Sequence, residues 1–207
     1  MKNIKLLITF LIIGFTINIS GQDGTGLDDT TGTLYAGGTV TAATASAKLL
    51  VAMALSQTTG LQFGSLILNG SVASTVAYDP SSTDAAGRTF STGVQASSDT
   101  GGNIPKLAKF AVTGSHSENY ALTLPASGKI NLTSTVYSGS IDDKEIMDID
   151  ALKIKFANKD YGTGALRAST LDASGDDIIT LGGTLNISAG QKAGTYTGTY
   201  EISVDYN

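Results

Sequence analysis

Gly194-Thr-Tyr-Thr-Gly-Thr-Tyr-Glu-Ile-Ser-Val-Asp-Tyr-Asn207 is the stretch that decides the fold class of this 207-residue chain. Tyr196, Tyr200, Ile202, Val204 and Tyr206 share one parity, and Thr195, Thr197, Thr199, Glu201, Ser203 and Asp205 share the other. Successive side chains of a strand point to opposite faces of its sheet, so this alternation fits a strand with one buried and one wet face. The pattern runs to residue 207, which predicts that the terminus belongs to a sheet.

The same period recurs toward the N-terminus. Leu185 and Ile187 alternate with Thr184, Asn186 and Ser188, and Leu152, Ile154 and Phe156 with Lys153 and Lys155, whose ammonium groups mark a solvent face. Tyr120, Leu122 and Leu124 alternate until Pro125 stops the strand, and Ile130 and Leu132 follow an Ala-Ser-Gly turn. Ala108, Phe110 and Val112 alternate as well, and Val76 and Tyr78 precede a turn at Asp79-Pro-Ser-Ser82. Leu61-Gln-Phe-Gly64 leads into a short strand at 65–68, and residues 87–94 read as an edge strand or long hairpin. Leu49, Val51, Met53 and Leu55 alternate too, but Leu50, Ala52 and Ala54 make that run apolar on both faces, so a strand or a short helix fits. Residues 97–103 read as loop, and 141–150 as a loop with one short helical turn. Short strands with turn signals between them predict an all-β antiparallel domain, a sandwich or a barrel, over residues 48–207.

Composition agrees with this. Charged residues make up 15% of the chain, while Gly, Ser and Thr abound; glycine and β-branched threonine are poor helix formers. The net charge of -5 argues against nucleic acid as a partner, because no basic surface is available to displace phosphate counterions. There is no cysteine, so neither a disulfide framework nor a lipid-modified cysteine anchor is expected.

Lys2 and Lys5 precede an apolar run over residues 6–19, the order of a secretory signal peptide, assigned here to 1–21. The run is shorter than the roughly 20 residues of a membrane span, so no span is expected once the signal is removed. About 185 residues then remain, enough for one sandwich-sized core. Residues 22–47 form a low-complexity extension with too little apolar area to order alone. Within it Leu34, Ala36, Gly38, Val40 and Ala42 share one parity, a strand pattern in search of a partner.

Chemistry is sparse. His116, the only histidine, is flanked by Ser115 and Ser117 in a polar turn, and nothing in the sequence supplies a buried acid or an oxyanion hole to complete a triad. Asp142, Asp143, Glu145, Asp148 and Asp150 form one acidic cluster, and Asp172, Asp176 and Asp177 another. Either offers oxygen ligands for weak calcium binding, but neither has EF-hand spacing, and solvated loops are the simpler reading. Leu181-Gly-Gly-Thr184 reads as a connection between strands and lacks the lysine of a phosphate loop. No catalytic residue, cofactor or metal is expected, and the chain reads as a non-enzyme.

On five segments the chain resembles the bacterial domain of unknown function 4402 family, which lies near spore coat protein U and pilin-like secreted domains. These are Leu61-Gln-Phe-Gly64, Phe110-Ala-Val-Thr-Gly114, Tyr120 to Leu124-Pro125, Leu181-Gly-Gly-Thr-Leu185, and Gln191 through Tyr206. The resemblance covers residues 43–207 and implies an immunoglobulin-like sandwich exported to the periplasm or surface, with no known activity. The terminus also resembles that of chaperone–usher pilins, which carry a glycine fourteenth from the end and a penultimate aromatic. Gly194 and Tyr206 hold those places here. In such pilins the last strand borders an open groove that a donated strand closes by main-chain pairing.

The expectation is a secreted structural or adhesive subunit of the periplasm, outer surface or an extracellular fibre. Gly194, Tyr196, Tyr200, Ile202, Val204 and Tyr206 would form its assembly strand, and Leu34, Ala36, Gly38, Val40 and Ala42 the donor. Identical or related subunits and a periplasmic chaperone would be its partners. The alternative is a monomeric ligand- or carbohydrate-binding sandwich on the cell surface that uses loops such as 97–103 or 141–150.

Overall fold

The computed structural model describes residues 44–82, 87–98, 103–136, 143–159 and 167–207. The predicted signal peptide, the alternating segment from Leu34 to Ala42, Asp142 and residues 99–102 lie outside them. Residues 47–207 cluster as one unit.

Among the described residues, regular structure is strand throughout, apart from one 3₁₀ turn at Asp143–Glu145. In chain order the strands are β1 (Ala54–Thr59), β2 (Leu66–Leu68), β3 (Ser74–Tyr78), β4 (Arg88–Phe90), β5 (Val94–Ala96), β6 (Ala108–Thr113) and β7 (Asn119–Thr123). They continue as β8 (Ile130–Ser134), β9 (Ile146–Phe156), β10 (Ala168–Thr170), β11 (Asp176–Ile187), β12 (Tyr196–Thr197) and β13 (Ser203–Tyr206). The pairings are antiparallel.

The long strand β11 organises the molecule. On one side it pairs with β9 along most of its length. On the other, its first half pairs with β6 and its second half with β3, so the large sheet forks at Gly182 and Gly183. The large sheet runs β1-β6-β11-β9-β8-β12, with β3 and β4 on the second branch of the fork. A side chain at 182 would run into the Tyr78 carbonyl, with Leu107 Cδ2 at 2.9 Å and Pro80 Cδ at 3.1 Å, so only glycine lets the two branches meet there. Opposite the fork, β9 carries a bulge: Ala151 and Leu152 face Gly183 alone, with Ala151 at φ 44°. The extra residue switches the inward parity, so that Ile149 before it and Leu152, Ile154 and Phe156 after it all face the core.

Two small sheets cover the inner face, giving a layered antiparallel sandwich consistent with the immunoglobulin-like expectation. The sheet β10-β7-β13 packs Tyr120, Leu122 and Leu171 against Phe110, Val112, Phe156, Ile179 and Leu181. The pair β2–β5, with Phe63 and Val94, covers Val76, Tyr78, Ile149, Leu185 and Ile187. Leu61, Leu152 and Tyr200 touch both half-cores. Edge-to-face pairs seat the large rings: Tyr120 on Phe156 at 5.9 Å, Phe63 on Tyr78 at 6.1 Å and Phe110 on Tyr200 at 6.4 Å.

Four local expectations change. The run 49–55 is neither a full strand nor a helix; pairing starts at Ala54, and residues 48–53 precede it without regular structure. Residues 176–183, read as an acidic turn and a connection, are the first part of the central strand. The second half of 141–150 belongs to β9, which begins at Ile146. The terminal stretch 194–207 is two strands in two sheets: β12 pairs with β8, β13 pairs with β7, and residues 198–202 cross between the layers. Gly198 permits the crossing, since any side chain there would strike the Asn131 carbonyl.

Candidate functional site

Despite this division, the parity read from the sequence holds across 196–207. Tyr196, Tyr200, Ile202, Val204 and Tyr206 are half-buried, and every residue between them is exposed. Gly194 is exposed in the bend before β12. The structure therefore brings Ile202, Val204 and Tyr206 together on one edge, Tyr200 between the half-cores, and Tyr196 to a separate sheet. Near the Tyr196 hydroxyl lie the carbonyls of Lys192, at 2.7 Å, and Lys144, at 3.0 Å, and it accepts from Gln191 Nε2 at 3.0 Å.

β13 is one edge strand of its sheet, with β10 the other, and β1 is one edge strand of the large sheet, whose further edges are β12 and β4. β13 and β1 border the same half-core, to which β1 and the residue before it contribute Leu55 and Met53, and β13 contributes Val204 and Tyr206. All four are only partly buried, whereas the inward residues of the neighbouring β7, Tyr120 and Leu122, are 0% and 3% exposed. The cover of the core thins toward these two edges, where backbone groups face outward without a ladder partner.

A latch that no sequence pattern announces closes the end of this seam. The Tyr206 hydroxyl donates to the Val51 carbonyl at 2.6 Å and accepts from the Ser115 amide at 2.6 Å. The Val51 amide in turn donates to Ser115 Oγ at 2.6 Å, and Lys48 pairs with Glu118 at 2.7 Å. Gly114 leaves room for the phenol, because a Cβ there would sit 2.6 Å from its oxygen. The penultimate side chain thus ties the start of the domain to the β6–β7 turn.

The acidic clusters do not converge, and two of their members are not solvated. Asp177 is 4% exposed; its carboxylate accepts from Tyr120 Oη at 2.8 Å, Ser169 Oγ at 2.7 Å, and the amides of Asn158 and Ile178. Burial, followed by the Asp177 carboxylate, pushes the Tyr120 phenol far above its ordinary pKa, with the Ser169 hydrogen bond opposing. Glu145 is 6% exposed and pairs with Lys192 at 3.0 Å. Asp148 lies on β9 and holds Lys129 and Asn186. Asp172 is fully exposed and caps its turn; the amides of Asp176 and Ser174 hold its carboxyl below the usual range. Among the described residues, no group of three or more His, Cys, Asp or Glu side chains is placed to hold a metal, and no helix is long and apolar enough to cross a membrane. His116 stands exposed in the β6–β7 turn.

Fold and edges together define an all-β antiparallel domain whose distinguishing surface is a pair of thinly covered strand edges. The family described as Domain of unknown function (DUF4402) matches residues 53–206, and the chain belongs to that family. The match begins at Met53 and ends at Tyr206, two residues of the seam. No curated protein and no solved structure matches the chain.

Proposed function

We propose that this chain is a secreted structural or adhesive surface subunit that assembles by strand donation. The observation that carries the reading is the seam between β1 and β13. Met53, Leu55, Val204 and Tyr206 remain partly exposed there, beside a β7 that is sealed. A strand added along β13 would pair its outward backbone groups and complete the burial of this row, each side chain adding what remains of the roughly 1.5–3 kcal/mol that full burial contributes. The segment Leu34, Ala36, Gly38, Val40, Ala42 of a neighbouring copy has the period and the small side chains for such a strand. The apolar run at residues 6–19 supports export, and an unpaired edge of this kind would call for a periplasmic chaperone before assembly. The role is structural, carried by main-chain pairing rather than by catalysis.

Removal of residues 23–44 tests this reading. The shortened protein is expected to fold, with circular dichroism and melting like the full chain, but to stay monomeric in sedimentation. Assembly that persists without those residues would defeat the proposal.

A further inference from the structure

Residues 48–52 carry the largest run of exposed apolar side chains in the described structure. Leu49 is 95% exposed, Val51 65%, and Leu50 44%. Such a run is ordinarily buried, because each aliphatic side chain left in water forgoes its transfer free energy. The run is nonetheless held in place: Val51 is bonded through both amide and carbonyl, to Ser115 and Tyr206, and Lys48 is paired with Glu118. A segment fixed by its backbone with its side chains outward is preorganised for contact, so binding need not order it first.

We infer that Leu49, Leu50 and Val51 form an intersubunit contact that is covered by a second copy of this chain on assembly. The inference rests on the strand-donation reading above. The chain itself argues for that occupant. Only residues 43–48 separate Ala42 from Leu49, a reach of at most about 25 Å fully extended. A neighbour that takes up residues 34–42 therefore comes to rest beside residues 49–51 of the donor. The donated strand supplies directional pairing, and the aliphatic triplet seals the contact where the strand leaves its own domain. The latch on Tyr206 fixes the side from which the donor is presented.

The test uses the mature full-length chain with Leu49→Ser and Val51→Ser together, beside the variant lacking residues 23–44. The double variant should melt as the wild type does when monomeric, yet need about tenfold or more protein to reach half-assembly in sedimentation. Because the chain has no cysteine, Leu49→Cys also offers a single site for an environment-sensitive fluorophore. Its emission should shift blue on adding unlabelled protein, and should not shift with phosphatidylethanolamine/phosphatidylglycerol vesicles. Normal assembly by the double serine variant, while the deletion abolishes assembly, would overturn this contact and leave strand donation standing. A shift with vesicles alone would overturn it in favour of a lipid surface. A wild-type chain that is monomeric at every concentration would overturn both.

Discussion

Tyr200 concentrates the physical tension of the domain in one side chain. Its ring bridges the two half-cores and stacks edge-on against Phe110, yet its hydroxyl is buried with no hydrogen-bond partner among the described residues. A buried unpaired hydroxyl costs about 1–3 kcal/mol, so Tyr200→Phe should leave the melting temperature unchanged or raise it by a few degrees, roughly 2–4 °C per kcal/mol. Burial also pushes the phenol up to about 12 from its ordinary 10.0, so its neutral form is favoured in the fold. The stability this contributes is complete below pH 10, where the phenol is neutral in the unfolded chain too, and is lost as pH rises through the folded value of about 12. Tyr200→Phe should therefore lose less stability than the wild type between pH 10 and 12 in denaturant titrations. An alkaline limb identical in the two proteins would show that this phenol does not ionise on unfolding. Tyr120 acts in the same direction through burial and the Asp177 carboxylate. The parity of Tyr200 was legible in the sequence, but its missing partner was not, because that depends on which sheets it lies between.

At the scale of elements, β11 shows what periodicity conceals. Its inward residues Ile179, Leu181, Leu185 and Ile187 obey period two. Two departures hide them. Asp177 occupies an inward place because Tyr120, Ser169 and two amides satisfy its carboxylate, and these partners lie far away in sequence. Gly182 and Gly183 read as a connection between strands, whereas they lie within β11 and mark the fork where β6 gives way to β3. Strands with ordinary alternation, such as β6, β7 and the second half of β9, were legible directly; the three-residue β10 was too short to leave a pattern. Gly182→Ala tests the fork. The added methyl meets the Tyr78 carbonyl, and overpacking of this kind costs about 1–3 kcal/mol, so the midpoint of urea unfolding should fall with an unchanged slope. A wild-type midpoint would mean that the branches part without strain. The terminal stretch makes the complementary point: its alternation gave the buried side of each residue correctly, but parity does not say which sheet a strand joins.

For the whole molecule, the central claim is that the seam between β1 and β13 is an acceptor for a neighbour's strand. Val76, Ala108, Val112, Tyr120 and Ile179 are fully buried, whereas the row at the seam stays partly exposed, as do Leu66, Phe90, Leu132 and Met147 around the second half-core; what sets the seam apart is that its row lies along two strand edges. Subunits joined by an inserted strand exchange slowly, because the whole ladder and its buried side chains must part together. That kinetic property is the most direct signature of the mechanism. The measurement is an SDS gel of the native protein extracted from the cell surface, loaded with and without boiling. A ladder of multiples that collapses to the monomer on heating is the predicted result; a single monomer band in both lanes would contradict strand donation and point to a sandwich that closes without a partner.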